Sequence, residues 1–259
     1  MDLGIQGKNA LVMASSSGLG LACATALAKE GVNVWINARN AQRLQAAAAA
    51  IRQLADGRVV PVVADITSEA DRRRVFAEVP EIDILVTNNE GPQPGGMDQW
   101  DHDAWVGAFE KNMIPHALFI RNYVGGMCER RFGRIVNITS AMVKSPRVHQ
   151  SLSSAARTAL TAFSKGLSLD VAADNVTINN LLPERIDTPR QQAMAERLMR
   201  LEGIGYDEAR RRIADSIAAR RFGTPEEFAS ACAYLCSVQA GFISGQNLQI
   251  DGGSYHGIV

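Results

Sequence analysis

The sequence predicts an α/β protein built on a parallel sheet with helices on both faces. Three observations carry this reading. Short apolar runs alternate with longer helical patterns along the whole chain, a glycine-rich turn follows the first run and opens into a helix, and 259 residues at 46% apolar suit one large core. Strict alternation of strand and helix implies right-handed crossovers and a sheet covered on both sides. The expectation is therefore a single domain over residues 1–259, with a doubly wound, Rossmann-type sheet of about seven strands.

The elements follow in order. NALVMA, from Asn9 to Ala14, is the first strand, and Gly20 to Glu30 is the helix that leaves its turn. Asn33 to Ala38 is the second strand, and Ala41 to Ala55, with its five-alanine run, is the second helix. Val59 to Ala64 and Ile82 to Thr87 are strands on either side of a helix from Ser68 to Val79. A long helix is expected from Asp103 to Arg130, a strand from Arg134 to Thr139 and a helix from Ser153 to Asp174. Val176 to Leu182 is the sixth strand and Asn247 to Ile250 the seventh, with a helix from Pro225 to Cys236 between them. Thr188 to Arg220 breaks the rhythm, being rich in charge, helical in pattern and too long for an ordinary connection. It reads as a helical lid over a substrate, residues 188–220. Nothing repeats, and no Pro/Gly/Ser-rich linker divides the chain.

Composition excludes several partner classes. Lysine plus arginine equals aspartate plus glutamate at 27 each, so no global field draws the protein to nucleic acid or to an anionic membrane. The opening MDLGIQGKNALVMASSS lacks the basic and continuous apolar regions of a signal peptide, and no apolar run approaches membrane-spanning length. The expectation is a cytoplasmic protein acting on a small molecule. Cys23, Cys128, Cys232 and Cys236 form no CxxC pair and read as buried, reduced thiols.

The first chemical motif is MASSSGLG, where Ala14, Ser16, Ser17, Gly18, Leu19 and Gly20 connect a strand to a helix N-terminus. Backbone N–H groups in such a turn hold a pyrophosphate; alternatively, Gly18 and Gly20 only let helix and strand pack closely. At the end of the second strand stand Asn37, Ala38, Arg39 and Asn40. No carboxylate is present to grip a ribose 2′-hydroxyl, whereas Arg39 suits a 2′-phosphate, which favours NADP over NAD. The plainer reading makes Arg39 a solvated surface charge.

Further landmarks are ADIT at Ala64 to Thr67, DILVTN at Asp83 to Asn88, KNM around Asn112, GRIVNITS ending at Ser140, IDTP after Pro183, RFGTPEE from Arg221 and SGQNLQIDGG ending at Gly253. With the glycine-rich turn, these resemble the short-chain dehydrogenase/reductase family over nearly the whole chain, close to its β-ketoacyl carrier-protein reductase branch. The resemblance implies that Asp65 sits by the adenine, Asn88 by the adenosine ribose and Thr188 by the nicotinamide amide, with Ile66 also among the cofactor-binding residues. It implies that Asn112 and Ser140 occupy two of four catalytic positions, and that the protein is a homotetramer or dimer.

The departures are as informative as the matches. Met13 and Ala14 replace the family's threonine and first glycine. Glu90 falls on a glycine position unless an insertion lets Gly91 supply it, and Glu184 replaces the glycine after Pro183. Carboxylates there would crowd and repel a dinucleotide unless they turn outward or pair with Arg157 or Arg185. Most telling is S-x12-S-x3-R from Ser140 to Arg157, where the family carries S-x12-Y-x3-K. Ser153 and Arg157 stand in for the tyrosine acid and its lysine. Serine is a far weaker acid than a phenol, whereas Arg157 still supplies charge. His149, Lys144 or a water held by Asn112 are the candidate proton donors, with Glu90 and Glu184 a further acid/base pair if no cofactor binds.

The leading expectation is an NADP(H)-linked oxidoreductase on a carbonyl or hydroxyl substrate, with an Asn112-Ser140-Ser153-Arg157 site. The alternatives are a cofactor-independent lyase- or dehalogenase-like enzyme on the same fold, and a catalytically inactive homologue with a regulatory or assembly role. Met194, Met199, Leu201 and Ile204 in the lid suggest either an apolar substrate part or ordinary core.

Overall fold

The computed structural model describes residues 1–55, 57–79 and 81–258. Its elements alternate as β1 (Asn9–Val12), α1 (Gly18–Lys29), β2 (Asn33–Ala38), α2 (Ala41–Arg52), β3 (Val59–Val63), α3 (Glu69–Glu78), β4 (Ile84–Thr87), α4 (His102–Asn112) and α5 (Ile114–Glu129). β5 (Gly133–Ile138), α6 (Ser151–Val171), β6 (Val176–Pro183), α7 (Pro189–Glu202), α8 (Tyr206–Asp215), α9 (Pro225–Cys236) and β7 (Asn247–Ile250) complete it. The strands form one parallel sheet in the order β3-β2-β1-β4-β5-β6-β7. The chain winds outward from β1 to β3 and then restarts at β4, so the order reverses between β1 and β4. In such sheets a crevice opens beyond the strand ends at the reversal.

Apolar residues divide into one cluster per face. Ile5, Leu27, Ile36 and Phe228 belong to the layer that packs α1, α2 and α9 on the sheet, and Cys23, Cys232 and Cys236 lie inside it. Leu11, Phe119, Ile135 and Leu160 belong to the opposite layer. Each fully buried large side chain contributes about 1.5–3 kcal/mol.

A polar ladder crosses the second half of the sheet. Thr87 on β4 donates from Oγ1 to Asn137 Oδ1 (2.7 Å), Asn137 Nδ2 donates to Asn180 Oδ1 on β6 (3.0 Å), and Asn180 Nδ2 donates to Asn247 Oδ1 on β7 (2.8 Å). The rungs are register partners in neighbouring strands. Asn137 Nδ2 also reaches Ser164 Oγ on α6 at 2.9 Å, so the ladder fixes α6 as well. Buried amides satisfied this way order their surroundings, because breaking one rung strands the others without partners.

Helix ends follow local chemistry. Asn40, Ser68 and Asp101 cap α2, α3 and α4 by accepting from backbone N–H groups, and Thr224 with Glu227 closes a reciprocal capping box on α9. The expected helix from Asp103 to Arg130 is in fact two. Met113 leaves helical geometry (φ −131°) one residue before Ile114, and Pro115 opens the new helix, because proline has no N–H to continue the old one. β1 stops at Val12 rather than Ala14, whose left-handed backbone (φ 47°) no strand accommodates. The 188–220 stretch contains α7 and α8, separated at Gly203 (φ 66°) and packed together through Ala195, Ala209 and Ile213 in a small cluster apart from the main layers.

Candidate active site

A cleft of about 930 Å³ lies beyond the strand ends. Its first wall is the β1–α1 turn. Ser15 Oγ donates to Val12 O (2.7 Å) and accepts from Asn37 N (2.9 Å), clipping β1 to β2 before the chain turns. Gly18 takes a left-handed backbone (φ 57°), and a side chain there would point at Thr188, 3.8 Å away across the cleft. Ser17 makes no side-chain capping bond, so the first N–H groups of α1 remain available. Ala14, Ser16, Ser17, Gly18, Leu19, Arg39, Asp65, Ile66, Asn88 and Thr188 all line the cleft. Gly20 does not. A Cβ on it would lie 2.3 Å from Ala14 O, so its role is to let α1 close against the turn.

Arg39 extends at the rim between two carboxylates, 4.0 Å from Asp65 Oδ2 and 3.8 Å from Glu90 Oε2. Glu90 therefore pairs with Arg39 rather than with Arg157. Glu184 is held by Arg147 at 3.0 Å, with Arg185 Nε 4.0 Å away. Both glutamates have cationic neighbours, which reduces their repulsion of a bound dinucleotide. Gly91, not Glu90, is the residue beside Arg157 and Ser153.

Ser140 and Ser153 both line the cleft, from the end of β5 and the first turn of α6. Ser140 Oγ accepts from Met142 N at 3.2 Å. Arg157 is buried beneath Ser153 and is fully engaged: Nε donates to Ser153 Oγ (3.1 Å), Nη1 to Ile138 O (2.9 Å) and Thr139 O (3.1 Å), and Nη2 to Asn89 O (3.1 Å). Burial, followed by the nearby Arg190 charge, pulls its pKa down to about 10, which leaves it protonated at neutral pH.

Asn112 is placed behind the cleft wall. Its Nδ2 reaches back to Ala108 O at 3.5 Å, and its Oδ1 is buried without a partner. His116, four residues on, is also wholly buried, and its ring makes no well-formed hydrogen bond, the Lys111 backbone being the polar group it interacts with. Burial, then the Arg157 charge, holds its pKa down to about 3, so the imidazole is neutral.

Residues 13–255 match the family model described as enoyl-(acyl carrier protein) reductase. The chain belongs to the short-chain dehydrogenase/reductase family. Over 97% of its length it is 29% identical to the NADPH-dependent reductase BacG of Bacillus subtilis, with 99% of that protein covered. It is 31% identical to a putative ketoacyl reductase of Streptomyces coelicolor over 94% of the chain and 95% of the relative. Among solved structures, L-sorbose reductase from Gluconobacter frateurii complexed with NADPH and L-sorbose superposes with a TM-score of 0.93 at 30% identity, both chains covered completely. By family the chain is an oxidoreductase.

In this short-chain reductase the replacement donors foreseen from sequence stand away from the cleft. His149 is exposed and Lys144 packs over the Tyr255 ring at 5.4 Å; neither lines the cavity. Among the described residues, the lining contains no tyrosine, histidine or cysteine. Of the lid residues, Met194 lines the cleft, Met199 and Ile204 pack in the α7–α8 cluster, and Leu201 is exposed. Arg147 and Arg190 also line the cleft and were not singled out from sequence. Arg190 follows the IDTP motif directly, and that adjacency was the available signal.

Proposed function

We propose that this short-chain oxidoreductase is an NADP(H)-linked reductase of small carbonyl or hydroxyl substrates that works through Ser140, Ser153 and Arg157. The observation that carries this reading is Arg157 pinned under Ser153. Because Ser153 Oγ accepts from a guanidinium, its own proton is left for a substrate oxygen, and the same holds for Ser140, which accepts from Met142 N. The buried Arg157 charge favours negative charge growing on that oxygen. The proton comes from water ordered against these hydroxyls, since the lining holds no phenol or imidazole. Asn112, behind the wall, is a positioning residue.

The residues fit the cofactor. The glycine-bearing turn, the open N-terminus of α1, and Arg39 facing a cleft whose carboxylates already have partners suit a dinucleotide diphosphate and a 2′-phosphate. When bound, the nicotinamide supplies or accepts the hydride. Ala14, Ser16, Ser17, Gly18, Leu19, Arg39, Asp65, Ile66, Asn88 and Thr188 are assigned to holding it, and Gly20 to shaping the turn. That similar proteins are an NADPH-dependent reductase and a reductase complexed with NADPH supports this choice.

Residues 1–259 are taken as one domain, and 188–220 as the cover over the substrate end. No helix among the described residues is long and apolar enough to cross a membrane; a cytoplasmic location is part of the same proposal. A homo-oligomer, dimer or tetramer, is favoured by the edge strand β7 with exposed Leu248 and by exposed Val106, Leu169 and Phe242. The test is a fluorescence titration with NADPH, followed by a carbonyl screen read as loss of the reduced-nicotinamide absorbance. Absence of binding at millimolar NADPH refutes the assignment.

A further inference from the structure

The cleft is far more basic than the protein that contains it. The chain carries 27 basic and 27 acidic residues, yet the cleft lining holds seven basic side chains against three acidic ones. Arg39 and Arg43 belong to the adenosine end. At the end bearing Ser140 and Ser153, the arginines are Arg147, Arg157, Arg185 and Arg190, and Glu184 is the carboxylate among them. Glu184 is committed to Arg147 and, at longer range, Arg185. Arg157 is consumed by three carbonyls and Ser153.

Arg190 is left over. It is half-buried, donates from Nη2 to Pro92 O at 3.2 Å, and has no carboxylate within ion-pair distance among the described residues. It stands on the first turn of α7, whose N-cap Thr188 makes no side-chain capping bond, so the positive end of a 14-residue helix adds to its charge. Arg185, also in the cleft lining, is held in a left-handed backbone (φ 57°) that non-glycine residues rarely adopt. Partly desolvated cations in excess over the carboxylates that face them, Glu184 toward Arg147 and Arg185 and the more distant Glu90 toward Arg190, repel one another, and an anion entering the cleft relieves that cost.

We propose that the substrate of this reductase is itself an anion, a carbonyl or hydroxyl compound whose carboxylate or phosphate is gripped by Arg190, with Arg185 and Arg147 adding positive charge from the same cleft lining. The proposal rests on the reductase reading above and adds the substrate class to it. The competing source of the same chemistry is the cofactor diphosphate, because Thr188 faces Gly18 across the cleft.

The experiment uses the full-length protein and matched probes: 2-, 3- and 4-oxo carboxylates with their methyl esters, and dihydroxyacetone phosphate with dihydroxyacetone. Each is titrated calorimetrically with and without NADPH, into wild type, Arg190→Met and Arg190→Lys, and NADPH itself is titrated by fluorescence. The expected result is at least one anion binding about tenfold more tightly than its neutral twin. Arg190→Met erases that preference and Arg190→Lys recovers part of it, while the NADPH dissociation constant moves less than about twofold. A wild type that prefers no anion overturns the proposal, as does a preference that survives in Arg190→Met. So does a Met variant that loses NADPH affinity with the anion preference intact, which would give Arg190 to the cofactor. Anion preference in a protein that never binds NADPH upholds the anion site and sinks the reductase reading instead.

Discussion

Arg157 Nε donates to Ser153 Oγ at 3.1 Å while the rest of the guanidinium is locked onto the carbonyls of Asn89, Ile138 and Thr139. The arginine thus staples the end of β5 and the loop after β4 to α6, besides charging the site. Lysine, with a point charge and no planar fork, cannot serve four acceptors spread this way. Arg157→Lys is expected to cost about 2–4 kcal/mol, read as a lower urea midpoint. Adding Ser153→Tyr to that background supplies a phenolic acid and should raise turnover of a reducible ketone by roughly 10²-fold over Arg157→Lys alone. A double variant no faster than the single one would remove proton donation from the list of what limits the wild type.

Arg39 divides its attention between Asp65 and Glu90. Arg39→Ala should weaken NADPH binding about tenfold and leave NADH nearly unaffected, because only the former offers a 2′-phosphate. Glu90→Gln frees Arg39 and should tighten NADPH about two- to threefold, a small effect suited to an exposed pair. Equal losses for both cofactors in Arg39→Ala would show that the residue serves some other part of the ligand.

The amide ladder should be the most sensitive point in the sheet. Asn137→Ala leaves Thr87 Oγ1, Asn180 Oδ1 and Ser164 Oγ each short of a partner. Loss of about 2–4 kcal/mol is expected in denaturant unfolding. Asn137→Asp keeps the acceptor but buries a carboxylate, and should be worse at neutral pH than at pH 4.

Ala14 and Gly20 make opposite predictions within one turn. Ala14→Gly relieves a left-handed alanine and should stabilise by up to about 1 kcal/mol, seen as a higher melting temperature. Gly20→Ala drives a Cβ to 2.3 Å from Ala14 O and should cost more than about 2 kcal/mol while reducing NADPH affinity. Similar melting temperatures for the two variants would refute the packing argument.

His116 gives a pH dependence with a definite sign. Its pKa falls from 6.5 to about 3 on folding, so below pH 6.5 the unfolded chain binds a proton that the native protein refuses. Stability is full above that pH and declines as pH drops toward 3, by up to about 1.4 kcal/mol per unit. Urea unfolding of His116→Leu should show a shallower decline between pH 6 and pH 4, with stability at pH 7 equal or higher. An unchanged slope would assign the acid sensitivity to other groups.

Element order was legible because period and length speak for strand and helix independently of tertiary contacts: β2, β7 and α9 lie where the pattern puts them. The break at Met113 was signalled by Pro115 but hidden by apolar periodicity that continues through it. In the site, Ser153 and Arg157 were found by spacing, yet what Arg157 does was not, since its carbonyl partners come from the end of β5 and the loop after β4, both outside its own helix. The same holds for Glu90, whose partner Arg39 lies 51 positions earlier across the sheet. His116 and Arg190 escaped for a related reason: only burial makes the first unusual, and only the lack of a described carboxylate within ion-pair distance makes the second so.

The reversal of strand order between β1 and β4 has a consequence for how this protein can change. Apart from Asn88 after β4, residues assigned to the adenosine end come from the loops after β1, β2 and β3, and residues assigned to chemistry lie on the segments that follow β4 and β5. The two sets meet across the crevice but are carried by different halves of the chain. A change at Ser153 can therefore redirect one half-site while the other keeps its geometry. The fold behaves as a two-part instrument whose grip and working edge can be altered separately.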